Sequence, residues 1–298
     1  MRAVGCHWYL QSTHSCETMR CMRPLSAALL TLLLVGCGDT GSSSAPPTAT
    51  PAIAPAAATA AGRTSQTSTG SAEPAPTTAA APACAPGNKR ATTERIATIL
   101  YVTRATVARK TPKASSAVVV RLQPKSVYGT RQVLLAVGKR VDAGCTPTWY
   151  RVRLPAKPNG VTGWVKARGL VSETTGTRIM VDLSARHLDL YRLGKRVLRV
   201  PVAIGHVETP TPIGSFYVDV RYRLTDRTGP YGPGLLGIAA YSEAEQGWAA
   251  GNPIAIHGSN APSLIGTRAS NGCIRVHNED IVRIMKLAPT GTPVEIRA

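Results

Sequence analysis

The residues whose types suit chemistry gather around one cysteine near the carboxyl end of the chain. Cys273 follows a Ser-Asn-Gly run at 270–272 and precedes Ile-Arg at 274–275, and a His-Gly pair occupies 257–258. A thiol attacks carbon as its thiolate, so it needs a base or a positive neighbour that lowers its pKa, and an imidazole is the usual partner. We therefore predict that Cys273 is a nucleophile and that His257 is its base.

The backbone around this thiol suits acyl transfer. Gly272 lets the chain approach a substrate closely, and the N–H groups of Gly272 and Cys273 are candidates for an oxyanion hole. Residues 260–269 are long enough to loop back and bring Cys273 beside His257. His277 is the competing base, but it stands at the start of a predicted helix. Together these features predict an acyl-enzyme on Cys273.

Residues 177–298 carry the pattern of short strands that would position these groups. Apolar residues alternate over 179–183 and again over 188–190, which predicts a meander of antiparallel strands. Residues 254–256 predict a strand that ends on His257, where a side chain is held rigidly. A helix is predicted after the cysteine, with Asn278 as its cap, Pro289 as its stop, and one apolar face made of Ile281, Ile284, Met285 and Ala288.

Residues 91–172 read as a second set of short strands broken by turns. Residues 149–153 alternate as Trp-Tyr-Arg-Val-Arg, and a Pro-Asn-Gly turn at 158–160 leads into Val-Thr-Gly-Trp-Val at 161–165. This pattern predicts a small barrel. We interpret Trp149 and Trp164 as buried core aromatics, the alternative being that they line a ligand groove.

Positive charge is concentrated in this first set of strands. Residues 91–172 hold 15 Lys and Arg against Glu94 and Asp142, whereas residues 177–298 hold 14 against 10 acidic residues. The basic surface indicates anionic wall polymers or a membrane surface as partners, or simply a soluble surface from an Arg-rich composition. The export signal described next disfavours nucleic acid as a partner.

The amino-terminal residues are typical of export. Arg20 and Arg23 precede an apolar stretch over 25–35, and a small residue stands directly before Cys37. We interpret residues 1–37 as a lipoprotein signal with lipidation at Cys37, the alternative being an uncleaved membrane anchor. Residues 38–90 are Ala, Pro, Thr and Ser with almost no large apolar side chain, so they predict a disordered tether. The predicted location is therefore extracytoplasmic and lipid-anchored.

Cleavage would leave three cysteine side chains with chemistry to explain. Cys84 and Cys145 either form a disulfide, as an oxidising compartment permits, or remain two unpaired thiols. Cys273 is then the odd cysteine.

Two other chemistries are disfavoured by spacing. Residues 232–237 match the glycine pattern of dinucleotide sites, but they lack the preceding strand, the following helix and the later acidic residue. No His and Cys spacing indicates a metal site. We predict no cofactor and no metal, and interpret residues 228–237 as a flap near the site, or else as a plain surface loop.

The sequence around the thiol resembles a known catalytic domain. His-Gly, a loop, and Ser-x-Gly-Cys-Ile-Arg, preceded by Thr-Pro-Thr-Pro-Ile-Gly-Ser-Phe at 209–216, resemble the YkuD-type L,D-transpeptidase domain over residues 177–298. The Trp-Tyr-x-Val and Gly-Trp-Val pair over residues 99–172 resembles bacterial SH3-like modules. The resemblance implies a mostly β fold: a basic SH3-like barrel over 91–172, then a β-sandwich-like catalytic domain with a minor helix.

The resemblance also implies roles for individual residues. It makes Cys273 the nucleophile and His257 the base, with the Gly258 carbonyl orienting the imidazole. Ser270 and Gly272 would shape the catalytic loop.

Two further positions bear on substrate. Arg275 would engage the substrate or brace the loop, the alternative being a structural pair with a local carboxylate. The family motif often reads Ser-His-Gly-Cys, and Asn271 stands here in place of that second His. The family base is the first His, so the substitution bears on substrate preference and leaves the base in place.

The implied reaction uses peptidoglycan stem peptides. Cys273 would attack the carbonyl of the third stem residue, expel D-alanine and pass the acyl group to a neighbouring stem amine, giving a 3→3 cross-link. Carbapenem-type inhibitors are expected to acylate the same thiol. The alternatives are attachment of proteins to the wall or L,D-carboxypeptidase activity through the same acyl-enzyme, and a non-catalytic wall-binding lipoprotein.

Overall fold

The computed structural model describes residues 84–244 and 251–298, all within one compact unit that spans Pro74–Ala298. The predicted signal over 1–37, with Cys37, and most of the predicted tether over 38–90 lie outside the described residues. Within the described part of the chain, no helix is both long and apolar enough to cross a membrane.

The first lobe, residues 84–175, is built from antiparallel strands. Their order in one sheet is β4-β3-β7-β6-β5-β2-β8, with β1 paired to β5. The strands are β1 Gly87–Arg90, β2 Ala97–Val102, β3 Thr106–Arg109, β4 Val118–Leu122, β5 Val133–Val141, β6 Pro147–Arg153, β7 Thr162–Lys166 and β8 Leu170–Thr175.

The described residues of the second lobe, 177–244 and 251–298, form a second large sheet, a two-stranded sheet, one α-helix and a short 3-10 helix at Pro262–Leu264. The large sheet has the order β11-β10-β9-β18-β13-β14-β15-β17, and β12 pairs with β16. The elements are β9 Thr177–Asp182, β10 His187–Arg192, β11 Lys195–Pro201, β12 Ile204–Gly205, β13 Gly214–Arg223, β14 Gly234–Tyr241, β15 Pro253–His257, β16 Arg268–Ser270, β17 Ile274–Arg275, α1 Asn278–Leu287 and β18 Pro293–Arg297.

The predicted mostly β fold with a minor helix is confirmed, but the second lobe is not a simple antiparallel meander. Strands β9 to β11 form the expected hairpins. Three later pairs are parallel: β18 with β9, β15 with β17, and β12 with β16. Each parallel pair joins segments that are distant in sequence or separated by a crossover, which alternation within one strand does not reveal.

Helix α1 buries the predicted apolar face but begins differently from the prediction. Ile281, Ile284 and Met285 are buried against the second-lobe core, as is Ala288 just after the helix. The residue before the helix is His277, and no side chain caps the first turn. The expectation that Asn278 caps the helix is wrong, because Asn278 is its first residue and its amide oxygen accepts a hydrogen bond from the Ser259 N–H at 2.8 Å.

Cys84 and Cys145 form a disulfide, with their Cα atoms 5.4 Å apart. The bond ties the residues before β1 to the β5–β6 hairpin across 61 residues of sequence. A cross-link over that separation restricts the unfolded chain and so stabilises the first lobe. Cys273 is the free cysteine of the described residues.

The interpretation of Trp149 and Trp164 as core aromatics is wrong. Both are partly exposed, and neither belongs to the first-lobe core. Along β6, Tyr150 and Val152 point into that core, so the residues between them point outward. Val165 is likewise buried beside the outward-facing Trp164.

The two lobes share a buried apolar cluster, which we call the seam. Strand β8 passes into β9 through Gly176 alone, so the lobes are joined without a linker. A side chain at Gly291 would collide with Ile99, which shows how closely the lobes approach. The seam consists of Ala97, Ile99, Val133, Leu135, Tyr217 and Ala239.

Polar groups border the seam as well. The side-chain amide of Asn159 donates to the Tyr241 carbonyl at 2.7 Å and its oxygen accepts from the Tyr241 N–H at 2.9 Å. Asp219 lies buried nearby, and burial raises the pKa of its carboxyl to about 7. Burial raises the pKa of Tyr217 and raises that of Tyr241 to about 12. The charge of Asp219 adds to the rise at both tyrosines. The Asp219 carboxyl therefore keeps its proton to a higher pH than an exposed aspartate does.

Candidate active site

His257 is held at the end of a central strand in a defined tautomer. It is the last residue of β15 and is 3% exposed, which confirms the predicted strand that ends on it. Its Nδ1 lies 2.6 Å from the Gly258 carbonyl oxygen. A carbonyl only accepts hydrogen bonds, so Nδ1 carries the proton and Nε2 keeps a lone pair. This is the tautomer that a base requires.

The imidazole is neutral at physiological pH. Burial lowers the pKa of His257 to about 4, the Gly258 hydrogen bond partly opposes this, and the charge of Arg275 adds to the lowering. A neutral imidazole is ready to accept a proton over the whole range above that pKa.

Cys273 is brought to His257 by strand pairing. It stands directly before β17, which pairs in parallel with β15 so that Arg275 lies opposite His257 and Ile274 opposite Ile256. The Val276 N–H donates to the His257 carbonyl at 2.9 Å. A backbone hydrogen bond joins the thiol to Ala255, two residues before His257 on the same strand. The two predicted catalytic residues thus sit on neighbouring strands of one sheet.

The pKa of the Cys273 thiol is raised, whereas the sequence predicted that it would be lowered. Cys273 is partly exposed as a residue, but burial of its thiol raises the pKa, and the Ala255 hydrogen bond and Arg275 charge offset this only in part. The physical reason is that the neighbouring imidazole is itself uncharged, so it supplies no positive charge to the sulfur. A neutral thiol can act as a nucleophile only when a base takes its proton.

The loop before the thiol is fixed by hydrogen bonds from a distant segment. Thr211 is buried, donates from its hydroxyl to the Gly272 carbonyl at 2.9 Å, and accepts from the Gly205 N–H at 2.9 Å. The Ser270 hydroxyl donates to the Cys273 carbonyl at 2.5 Å. Thr211 was part of the 209–216 motif, but its contact with the loop was not predicted.

These hydrogen bonds leave two N–H groups available. Within residues 84–244 and 251–298, the N–H groups of Gly272 and Cys273 donate to no backbone or side-chain acceptor. Gly272 has φ +104°, and a Cβ there would lie 2.9 Å from the Ile254 side chain. Only glycine fits this conformation without strain. The arrangement suits the predicted oxyanion hole, and Asn271 beside it is exposed.

Arg275 is held by its backbone and has no acidic partner. Its N–H and carbonyl both bond to Ala203 at 2.9 Å. Its Nε is buried without a hydrogen-bond partner, and among the described residues it forms no ion pair. The alternative of a structural pair with a local carboxylate therefore finds no support.

Tyr231 is a site residue that the sequence did not reveal. Its ring packs edge-on against His257, with centroids 4.8 Å apart. Burial raises the pKa of its hydroxyl, and Cys273 contributes to the rise. Tyr231 lies in the predicted 228–237 flap, but that segment becomes β14 from Gly234 onward. The sequence signal that could have identified Tyr231 is an aromatic residue within a Gly- and Pro-rich segment that was interpreted as lying near the site.

The competing base and a metal site gain no structural support. The His277 side chain makes no hydrogen bond or ion pair with any residue that the structure describes. Across the same residues, no group of three or more His, Cys, Asp or Glu side chains is arranged to hold a metal ion.

Comparison with known proteins decides the family. Residues 176–296 match the family model of the YkuD L,D-transpeptidase catalytic domain. The chain is 32% identical over 167 residues to the L,D-transpeptidase YkuD of Bacillus licheniformis, covering 56% of this chain and 86% of that protein. The chain belongs to the YkuD family of L,D-transpeptidases. The predicted family resemblance of the second lobe is therefore confirmed.

Other L,D-transpeptidases match over shorter spans. The Bacillus subtilis L,D-transpeptidase YkuD is 38% identical over 119 residues, which cover 40% of this chain and 64% of that protein. A solved Enterococcus faecium L,D-transpeptidase mutant is 28% identical, with 41% of this chain and 49% of that chain covered and a TM-score of 0.30. The L,D-transpeptidase 3 of Mycobacterium tuberculosis, solved with a faropenem-derived adduct, is 21% identical, covers 48% of this chain and 76% of that chain, and has a TM-score of 0.33.

Replacing Arg275 is expected to make the thiol of this L,D-transpeptidase harder to ionise. Because the guanidinium lowers the pKa of Cys273, Arg275→Gln removes that effect, and alkylation by iodoacetamide should slow about two- to tenfold at pH 8. Alkylation of Cys273 is followed by peptide mass spectrometry across pH. Arg283→Gln, on the exposed side of α1, should leave the profile unchanged. If the pH profile of Cys273 alkylation is unchanged or shifts to lower pH in Arg275→Gln, the conclusion that Arg275 lowers the pKa of Cys273 is wrong.

Proposed function

We propose that this chain is a peptidoglycan L,D-transpeptidase that forms a thioester between Cys273 and a tetrapeptide stem. The observation that carries the proposal is the placement of Cys273 beside β15, whose last residue His257 presents a neutral imidazole with an unprotonated Nε2. Family membership supports the reaction class, and the geometry supports the assignment of roles.

In the first half-reaction the Cys273 sulfur attacks the carbonyl of the third stem residue while His257 Nε2 takes the thiol proton. The carbonyl oxygen becomes an oxyanion that the N–H groups of Gly272 and Cys273 stabilise. When the C–N bond breaks, the D-alanine amine leaves with the proton from His257. The product is a thioester on Cys273, and the charge on the imidazole returns to zero.

In the second half-reaction a stem amine replaces D-alanine. His257 takes a proton from that amine as its nitrogen attacks the thioester carbon. Collapse of the second oxyanion breaks the C–S bond, and the sulfur recovers its proton from His257. The result is a 3→3 cross-link, formed without ATP because the energy of one amide bond is retained in the thioester.

Neighbouring groups would hold the catalytic residues in place and bind the substrate. The Gly258 carbonyl holds the imidazole by its Nδ1 proton, and Ser270 fixes the Cys273 peptide plane. Arg275, which has no acidic partner among the described residues, is suited to bind a stem carboxylate. Export through residues 1–37 and lipidation at Cys37 would place the enzyme outside the cytoplasm at the membrane, where its peptidoglycan substrate lies.

The acceptor is tested by the products that the purified full chain forms from defined disaccharide-tetrapeptides. A 3→3 dimer with release of one D-alanine, resolved by liquid chromatography and tandem mass spectrometry, is the expected product. Accumulation of tripeptide alone would instead support L,D-carboxypeptidase activity, and a product only with added protein amine would support wall-protein attachment. No consumption of tetrapeptide and no mass added to the chain by a carbapenem would support the non-catalytic alternative and sink the proposal.

A further inference from the structure

The outward face of the first lobe carries two tryptophans on adjacent strands. Trp149 on β6 lies opposite Lys166 on β7, and Arg151 lies opposite Trp164. Residues paired directly across antiparallel strands point to the same side of the sheet. Trp149 and Trp164 are therefore diagonal neighbours on one surface, opposite the side that buries Tyr150 and Val165.

Basic side chains surround both indoles. Arg109 on β3 pairs with Trp164, and Arg140 on β5 pairs with Trp149. The Lys166 ammonium lies 5.7 Å from the Trp149 ring centroid. We call this surface the tryptophan face; it consists of Arg109, Arg140, Trp149, Arg151, Trp164 and Lys166.

In the part of the chain that the structure describes, no acidic residue forms an ion pair with this surface. Arg109 donates to the Ser116 carbonyl and Arg151 donates to the Thr162 hydroxyl, and both acceptors are uncharged. Partly exposed indoles beside unpaired positive charges in the middle of strands are not explained by core packing.

We propose that the tryptophan face binds an acidic polysaccharide. Indole faces stack on the C–H faces of sugar rings, and guanidinium and ammonium groups pair with the acidic groups that such a chain carries. The register places a basic residue next to each tryptophan, both along its own strand and across to the neighbouring strand. This alternation of rings and positive charges matches a polymer that carries a ring and a negative charge in each repeat. The inference concerns the first lobe and does not rest on the reaction at Cys273.

A membrane or an acidic polypeptide fits this face less well. The indoles lie within strands on a sheet surface, and the most exposed apolar side chain of this lobe, Val127, lies in the loop between β4 and β5. Membrane insertion uses protruding apolar groups rather than a flat face edged with arginines. An acidic polypeptide would use the positive charges but would have no ring to stack on the tryptophans.

The test compares immobilised polymers by biolayer interferometry with the purified full chain. Polygalacturonate supplies both rings and charges, dextran supplies rings alone, polyglutamate supplies charges alone, and phosphatidylglycerol vesicles supply an anionic membrane. We expect polygalacturonate to bind most tightly, at least about tenfold more tightly than each of the other three. Its binding should weaken as salt is raised.

Variants assign the binding to the face. The double variant Trp149→Ala and Trp164→Ala should weaken binding of polygalacturonate about tenfold or more and leave that of polyglutamate unchanged. Arg151→Gln with Lys166→Gln, at two exposed positions, tests the same face without removing an aromatic. Arg192→Gln with Lys195→Gln, two exposed residues that pair on the β10–β11 hairpin of the second lobe, is the matched control because it also removes two charges. Thermal unfolding followed by circular dichroism reports independently that each variant is folded.

Four outcomes would overturn the proposal. The first three are equal binding of polyglutamate and polygalacturonate, tighter binding of vesicles than of polygalacturonate, and unchanged polygalacturonate binding in both face variants. The fourth is a loss of binding in the Arg192 and Lys195 pair as large as in the Arg151 and Lys166 pair, which would show that net charge alone is responsible.

Discussion

Replacing Cys273 with alanine is expected to abolish transfer of the stem acyl group, lowering the rate by at least about a thousandfold. The substitution removes the sulfur that forms the thioester, and no other thiol lies free among the described residues to replace it. Formation of the 3→3 dimer from tetrapeptide is measured by mass spectrometry under conditions of single turnover. Unfolding by heat should be nearly unchanged, because one sulfur at a partly exposed position is lost.

A second cysteine variant supplies the control. Cys84→Ser together with Cys145→Ser removes the disulfide and keeps the thiol at 273, so it should lower the unfolding temperature and retain transfer. The assignment of the nucleophile is wrong if the Cys273→Ala protein still forms dimer, or if a carbapenem adduct maps to Cys84 or Cys145.

Replacing His257 with glutamine is expected to lower the rate about 10²- to 10⁴-fold at pH 7, the range for loss of a general base. Glutamine retains a hydrogen-bonding group of similar length but cannot take a proton from the thiol. In the unchanged enzyme the rate should fall on the acid side only near pH 4, since the buried imidazole has a pKa of about 4. Protonation below that pH removes the lone pair on Nε2.

The matched control is His277→Gln, which should change the rate little. His277 precedes α1 and its side chain has no partner among the described residues. An acid limb near pH 6.5, or an equal loss in the two glutamine variants, would contradict the assignment of His257 as the base.

The candidate site could be predicted from sequence where its residues lie close together along the chain. Cys273, Gly272 and Arg275 form a short motif, and His257 ends an alternating strand only 16 residues earlier. The contacts that support the motif come from farther away. Thr211 bonds to the Gly272 carbonyl across 61 residues. Tyr231 contacts His257 from the segment interpreted as a flap near the site or a plain surface loop, but that interpretation assigned no contact to Tyr231. Such contacts depend on the sheet order, which local patterns do not contain.

The charge states of His257 and Cys273 also could not be predicted from the sequence. A histidine next to a cysteine predicted a thiol of lowered pKa, but burial acts on both groups and leaves both uncharged. Burial depends on the packing of the whole lobe. Alternation likewise predicted that Trp149 and its neighbours belong to strands but not which side of β6 faces the core, so the two tryptophans were assigned to the wrong side.

The seam fixes the distance between Cys273 and a polymer bound on the first lobe. Between two modules on a flexible linker, the local concentration of one site near the other is averaged over all linker conformations and falls as the linker lengthens. Here Gly176 alone connects the lobes, and Ile99, Leu135 and Tyr217 are packed into one shared core. A polymer held on the first lobe would therefore lie at one fixed offset from Cys273, because no linker motion would vary the distance between the two lobes.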